Sequence, residues 1–257
     1  MEKDFMERIS KLQELIDKSE NIVFFGGAGV STESGIPDFR SKDGLYNQKD
    51  IRFDKYEPEY LLSSDCLDNH PEVFFEFYRQ KLDCRNIAPN TAHIKLAELE
   101  KAGKLSAVIT QNIDGLHQKA GSRRVFEIHG TTQKVYCREC GNEVHPNYLF
   151  ISKDDIPRCG ICGGVLRPDV TLYGEELPND ACSNAVAALR NADLLIIGGT
   201  SLTVYPAALF LQYYMGEDIV MINRDITSMD NYATIVFREP IGKVMTELRC
   251  DGTRTRQ

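Results

Sequence analysis

The chain lacks any apolar run long enough to cross a membrane as a helix, which would need about 20 consecutive apolar residues. Its start, Met1-Glu2-Lys3-Asp4, also lacks the apolar core of a secretory signal. No membrane association is expected on these grounds, and a cytoplasmic location is. Positive charge is short as well: 30 Lys and Arg face 38 Asp and Glu, a formal net charge of −8. Such a balance argues against direct nucleic-acid binding and fits docking of a basic peptide. The cysteine pattern of a small secreted disulfide scaffold is missing too. Eight cysteines in 257 residues, with Cys66, Cys84, Cys182 and Cys250 scattered and the other four clustered, point to a reducing compartment and a metal site.

What is present begins with an amphipathic opening helix carrying Phe5, Ile9, Leu12 and Ile16 on one face. The apolar run Ile22-Val23-Phe24-Phe25 has the length of a buried strand, and Gly26-Gly27-Ala28-Gly29 follows at once. A strand entering a glycine-rich turn lets backbone N–H groups approach a phosphate, although a tight turn alone would also need such glycines. The dinucleotide fingerprint is incomplete, because Thr32 stands where its third glycine belongs. Gly35 and Pro37 then stop any helix and hold Phe39 and Arg40 on a loop beside the glycines.

The stretch from Gly27 to Arg40, GAGVSTESGIPDFR, resembles the signature of the sirtuin family of NAD-dependent protein deacylases; Gly26 departs from the family's usual Thr. The resemblance continues in order along roughly residues 10 to 248. TQNIDGLH follows a strand at Leu105 to Thr110, placing Gln111, Asn112, Ile113 and Asp114 at a carboxyl end, where open α/β sheets bind ligands. By resemblance Asn112 and Asp114 belong to a nicotinamide pocket and Gln111 to the adjoining ribose. Val125 to Gly130, VFEIHG, is a short strand ending in His129, whose ordinary pKa suits proton transfer near neutrality. The resemblance makes His129 the general base, while His70, His93, His117 and His145 are read as structural.

Cys137-x-x-Cys140 and Cys159-x-x-Cys162 form two knuckles separated by residues 141 to 158. Paired knuckles favour a zinc ion over redox use, and four sulfur ligands leave no open coordination position, so the metal is structural. Arg138, Arg158 and Arg167 are expected to offset the thiolate charge. Past the second knuckle, residues 167–175 regain strand character. In sirtuins the similar segment pairs edge-on with the acyl-lysine peptide, which implicates Val170, Tyr173 and Gly174, with Val204 opposite; Tyr173 replaces the family's usual Phe.

A helix capped by Asp180 leads to the buried strand Leu194 to Ile197, then to Gly198-Gly199-Thr200-Ser201, with Pro206 opening the next helix. A further strand, Ile219 to Ile222, ends in Asn223-Arg224-Asp225. This second strand–loop–strand unit gives a dinucleotide its other half, and by resemblance to the sirtuin adenosine half Ile241 is assigned to the adenine. In the scheme that the resemblance implies, Ala28, Gly29, Ser31, Thr32 and Arg40 hold NAD and Phe39 screens the reacting centre. The acyl oxygen attacks the nicotinamide ribose as nicotinamide leaves, and His129 then takes a proton from a ribose hydroxyl. Products are free lysine, nicotinamide and O-acyl-ADP-ribose.

The expected fold is α/β, with a Rossmann-like parallel sheet domain (1–43, 88–130 and 168–257) and a smaller part. The latter combines a cofactor loop and helical insert (44–87) with a zinc-ribbon insert (131–167). Alternatives are an ADP-ribosyltransferase using the same pocket, a deacylase preferring longer acyl chains, a non-catalytic ADP-ribose sensor, and a dehydrogenase, which would want the full fingerprint and an acid after the second strand. Sirtuins that prefer succinyl or malonyl lysine resemble one another in a Tyr-x-x-Arg pair in the helical insert. Here Phe77-Tyr78-Arg79-Gln80-Lys81 has the tyrosine but Lys81 three places on, so by resemblance acidic acyl groups are expected to fare worse than acetyl.

Overall fold

In the computed structural model, residues 2–39, 41, 44–47 and 50–250 are described. The chain opens with α1 (Glu2–Lys18), whose buried residues include Phe5, Ile9, Leu12 and Ile16, and enters β1 (Ile22–Gly26). Two single-turn 3-10 helices, Ala28–Val30 and Thr32–Ser34, take the place of a Rossmann helix. The insert follows as α2 (Ser64–Asn69) and α3 (Pro71–Lys81). The helical insert is therefore two helices rather than one. Ser63 caps α2 by accepting from Cys66 N at 3.0 Å, and Pro71 restarts the chain at the first turn of α3, where its missing N–H has no helical partner to lose.

Then come α4 (Thr91–Lys101), β2 (Leu105–Thr110), α5 (Leu116–Ala120), β3 (Val125–Glu127), β4 (Gly130–Cys137), β5 (Glu143–Val144), α6 (Tyr148–Ile151) and β6 (Leu166–Val170). The chain closes with α7 (Asn179–Asn191), β7 (Leu194–Gly198), β8 (Asp218–Ile222), β9 (Ile235–Phe237) and α8 (Ile241–Thr246). Asp180 is not the cap of α7. Pro178 precedes the helix without a side-chain bond, and Asp180 sits in the first turn, where its charge still favours the helix dipole. After Pro206 the segment Ala207–Tyr213 is a 3-10 helix.

Six strands form one parallel sheet in the order β3-β2-β1-β7-β8-β9. Chain order reverses between β1 and β7, so their carboxyl ends, Gly26 and Gly198, face each other in register at the switch point. Side chains alternate across the sheet. Phe24, Val108, Ile196 and Val220 pack against α1, α4 and α8, while Phe25, Ile109, Ile197 and Met221 pack against α7 and the segment after Pro206. Each face is dry, and Phe24 and Phe25 are both 0 % exposed. Truncating either to Ala removes about 3–5 kcal/mol of stability.

A second sheet, β5-β4-β6, is antiparallel. It shares one apolar cluster with the helical insert: Phe74, Phe75 and Tyr78 pack with Val135, Leu149 and Leu166, and Cys137 and Cys159 belong to the same cluster. The two inserts are thus one packed body. Its strands β4 and β6 run past the limits set at 131 and 167 on sequence grounds.

Candidate active site

The carboxyl ends of β1, β2 and β7 open into a cavity of about 690 Å³ between the parallel sheet and the insert body. Its floor is backbone. Gly29 N donates to Gly199 O at 2.8 Å, and a Cβ on Gly29 would stand 2.7 Å from Gly199 Cα. Gly199 has φ 58°, and a Cβ there would press on the Val30 nitrogen. The two loops touch only because neither carries a side chain. Ala28, Thr32, Thr200 and Ser201 line the cavity just above this contact; Gly27 lies beneath it, packed under Gln111 Oε1 and Thr200.

The strand-end residues after β2 are held by a buried network. Ser31 Oγ donates to Asp114 Oδ2 at 2.7 Å and accepts from Asn112 Nδ2 at 3.0 Å. Asp114 Oδ1 accepts from Leu116 N at 2.9 Å. His93 lies behind Ser31, Nε2 to Oγ 3.5 Å, and its Nδ1 faces the Asn90 cap of α4. It has no exposure to the cavity, as the structural reading of this histidine expects, and burial pushes it down to about 4. Gln111 accepts from Thr200 Oγ1 at 3.0 Å through Oε1, while its Nε2 is buried without a partner, an amide donor left for a ligand.

His129 lines the cavity just beyond β3. Its Nδ1 is 2.9 Å from Gln111 O, a carbonyl that can only accept, so Nδ1 carries the proton and Nε2 is the basic nitrogen. Burial lowers its pKa, partly countered by that carbonyl, and keeps the ring neutral near pH 7.

The far wall comes from the segment after β6. Val170, Tyr173 and Gly174 line the cavity, with Val204 also on its lining. Phe39 lies edge-on to Tyr46, ring centroids 5.4 Å apart, and Tyr46 Oη is 3.2 Å from Tyr173 Oη, so the aromatic loop reaches this wall. Ile113, Asn223, Arg224, Asp225 and Ile241 complete the lining; Ile241 packs where a side chain on Gly198 would be. Arg40 lies outside the described residues.

Tyr46 and Cys84 line the cavity without having been singled out for it, and the Ser31–Asp114 bond and the Arg167–Glu175 pair escaped notice. Ser31 and Asp114 are distant in the chain, and the turn that brings Glu175 back to Arg167, eight residues away, has no spacing signature of its own. Arg167 in particular does not serve the thiolates, because it grips Glu175. Arg138 pairs with Asp68 at 2.6 Å, and Arg158 donates to Gly163 O at 3.1 Å. Tyr78 is 1 % exposed in the insert core, while Arg79 donates to Leu149 O and Asp154 O, both at 2.7 Å. Of that helix end only Gln80 and Lys81 reach the cavity, and Lys81 lies 3.8 Å from Asp50.

Away from the cavity, the sulfurs of Cys137, Cys140, Cys159 and Cys162 lie within 4.8 Å of one another. Three of their separations, 3.4, 3.4 and 3.8 Å, approach the edge of about 3.8 Å that a tetrahedron with ~2.3 Å Zn–S bonds requires. Backbone N–H groups of Cys162 and Ile161 hold the Cys159 thiol down to about 7. Cys162, despite the Gly164 N–H, is pushed up to about 12 by Cys140 and Cys137. Four thiolates this close repel one another until a cation joins them. The cysteines are positioned to bind a zinc ion.

A sequence model described as the Sir2 family matches residues 27–206. A protein of Clostridium perfringens is 52% identical over 241 residues, covering 93% of this chain and 97% of that one. A protein of Clostridium acetobutylicum is 49% identical over 240 residues, with 93% and 97% covered. Both are named NAD-dependent protein deacetylase. Among solved structures, a Sir2 variant with a deacetylated p53 peptide and 3'-O-acetyl ADP ribose aligns with a TM-score of 0.84 at 35% identity. It covers 93% of this chain and 96% of that one.

Proposed function

The chain belongs to the Sir2 family, and we propose that it is an NAD-dependent protein-lysine deacetylase that transfers the acyl group to ADP-ribose. One observation carries the reading: the glycine floor, the Asn112–Ser31–Asp114 network, the basic face of His129 and the wall at 170–174 surround a single cavity. NAD fits the features that receive it, namely a floor closed to any Cβ and an unpartnered Gln111 amide. When bound, it supplies an electrophilic ribose carbon and a leaving nicotinamide.

The chain's own residues do the rest. Gly27, Ala28, Gly29, Thr200 and Ser201 hold the pyrophosphate half, and Asn223, Arg224, Asp225 and Ile241 hold the adenosine. Asn112, Ile113 and Asp114 take the carboxamide end, with Gln111 beside the ribose. Thr32 and Phe39 close over the reacting centre and exclude water, and Arg40 is assigned to the same loop. His129 Nε2 accepts the proton of a ribose hydroxyl. Positioning supplies much of the rate, because a neutral acyl oxygen is a weak nucleophile. The substrate is an acetyl-lysine peptide laid as an added strand between Val170, Tyr173 and Gly174 on one side and Val204 on the other. The parallel-sheet segments 1–43, 88–130 and 168–257 are the cofactor domain, and 44–87 with 131–167 is the body that covers it.

Neutral acyl groups are preferred. Arg79 is engaged by backbone carbonyls outside the cavity and Tyr78 is in the core, so this pair offers no guanidinium fork to an acidic acyl chain. Eight cysteines, four of them grouped where they could hold a metal, support a reducing, cytoplasmic location.

Mass spectrometry of the products from NAD and an acetyl-lysine peptide tests the proposal. O-acetyl-ADP-ribose with free lysine is expected; ADP-ribosylated protein would replace it with a transferase, and NADH with a dehydrogenase. On matched peptides, kcat/KM for acetyl-lysine should exceed that for succinyl-lysine, and equality would overturn the acyl preference.

A further inference from the structure

One arginine braces the wall of the cavity at residues 170–175. Arg167 stands in β6 opposite Tyr136, one register step from the pair formed by Leu166 and the metal-cluster residue Cys137. Its guanidinium lies 5.8 Å from the Tyr136 ring, and its side chain is only 11% exposed. From there it reaches forward along its own chain. Nη1 meets Glu175 Oε1 at 2.5 Å and Nη2 meets Oε2 at 2.9 Å, a two-pronged pair. The same Nη2 donates to Val170 O at 2.8 Å, and Nε donates to Pro168 O at 3.2 Å.

Glu175 closes the turn that makes the wall. Its Oε2 also accepts from Leu172 N at 2.9 Å, and its own N donates to Leu172 O at 3.0 Å. Between them lie Tyr173 and Gly174, with Gly174 at φ 92°. On its other side the turn is fixed by Tyr173 N to Leu62 O and Ser64 N to Tyr173 O, both 3.0 Å, at the start of the insert helices. The wall therefore has three anchors: backbone bonds to the insert, the bond from Thr171 N to His129 O at 2.8 Å, and the ionic one to the strand leaving the cysteine knuckle.

We propose that Arg167 is a positioning residue for the peptide substrate: through the Glu175 fork it sets the 170–175 wall and keeps the Glu175 carboxylate from turning into the cavity. The inference deepens the deacetylase reading and rests on it. Removing the guanidinium leaves a partly buried carboxylate without its cation at the site where an acyl-lysine must pass. A lysine at 167 restores charge but not the two-pronged geometry.

The experiment compares wild type, Arg167→Gln, Arg167→Lys, Glu175→Gln and the Arg167→Gln/Glu175→Gln double variant. Peptide KM, NAD KM, bound zinc and unfolding midpoint are measured for each. Arg167→Gln should raise peptide KM about tenfold or more, as losing bonds to a charged group does, with NAD KM within about twofold and zinc retained. Arg167→Lys should recover part of the loss, and the double variant should be no worse than Arg167→Gln. Glu175→Gln, which leaves no unpaired carboxylate, covers the case in which Arg167→Gln fails to fold, and it should raise peptide KM by itself. Unchanged peptide KM in these variants, NAD KM rising in parallel, zinc loss, or independent effects of the two substitutions would each overturn the assignment. Absence of acetyl-lysine turnover in wild type would instead overturn the deacetylase reading.

Discussion

The two halves of the cavity are built from different materials. The parallel sheet presents backbone: glycine loops at the ends of β1 and β7, supported by strands of which Leu194, Leu195, Ile196 and Ile197 are all 0 % exposed. The insert body presents side chains over a core in which Cys137 and Cys159 sit among Phe74, Val135 and Leu166. Burial alone explains the first, since about 25 cal/mol per Å² of apolar area over two dry faces makes a stable sheet. The second has a small antiparallel sheet of which β5 is only two residues long, and it carries four thiols positioned to share one zinc ion. The half that binds the cofactor is thus held by its sheet, and the half that covers it is expected to depend on a metal.

The largest effect should come from breaking the metal-dependent half. Cys137→Ala removes a ligand from the cluster that joins β4 to the second knuckle. Zinc, solubility and deacetylation are expected to fall together, and metal analysis beside a turnover assay checks this. A soluble zinc-free variant with full turnover would mean that the insert stands without its ion.

His129→Ala should lower single-turnover deacetylation by about 10²–10⁴-fold, the usual contribution of a placed base. NAD binding should survive, because the ring contacts Gln111 only through that residue's carbonyl. Calorimetric titration with NAD next to single-turnover kinetics separates the two. Near-normal rates would place the base elsewhere.

Gly199→Ala attacks the sheet half where it is backbone. A methyl at φ 58° meets the Val30 nitrogen and Gly29, so the paired loops must part. The strained conformation costs about 1–3 kcal/mol, and NAD affinity should weaken at least about tenfold with zinc fully retained. Retained affinity would show that the loops can separate without harm to the site.

The same division explains what the sequence could and could not reveal. The glycine loops, the strand ends at Gln111–Asp114 and the paired knuckles were legible because each is a local pattern: a strand, then residues whose chemistry is fixed by their offset from it. The Ser31–Asp114 bond was not, since it depends on where separate elements come to rest, and the Arg167–Glu175 fork was not, since it depends on how the chain turns after β6. Expecting Arg138, Arg158 and Arg167 around the thiolates erred for a related reason. Nearness in sequence put cations by the sulfurs, but Arg138 and Arg167 pair with the carboxylates of Asp68 and Glu175, and Arg158 donates to a carbonyl of the second knuckle. Asp180 fell to ordinary helix-boundary uncertainty of a residue or two.

The smallest expected effect belongs beneath the sheet-side floor, where two histidines lie in contact, ring centroids 4.7 Å apart. Burial pushes His93 down to about 4, against the pull of Asp114, and burial with the neighbouring His93 pushes His117 down to about 3. Both have lower pKa values folded than unfolded, so below about pH 6.5 the unfolded chain binds more protons. Stability therefore falls as pH falls from about 6.5 towards 4, by at most about 1.4 kcal/mol per pH unit per histidine. Glu127, pushed up to about 6 by burial, works in the opposite sense. His117→Leu removes one histidine's share while leaving Glu127, the thiols and His93 in place. The loss of stability between pH 7 and pH 5 should then shrink by up to about 2 kcal/mol relative to wild type, measured by urea unfolding at both pH values. His117 carries two buried ring nitrogens without partners, so the variant is also expected to hold its stability at pH 7. An unchanged pH dependence would mean that His117 titrates alike in the folded and unfolded chain, and that the acid sensitivity of this half arises at His93 alone.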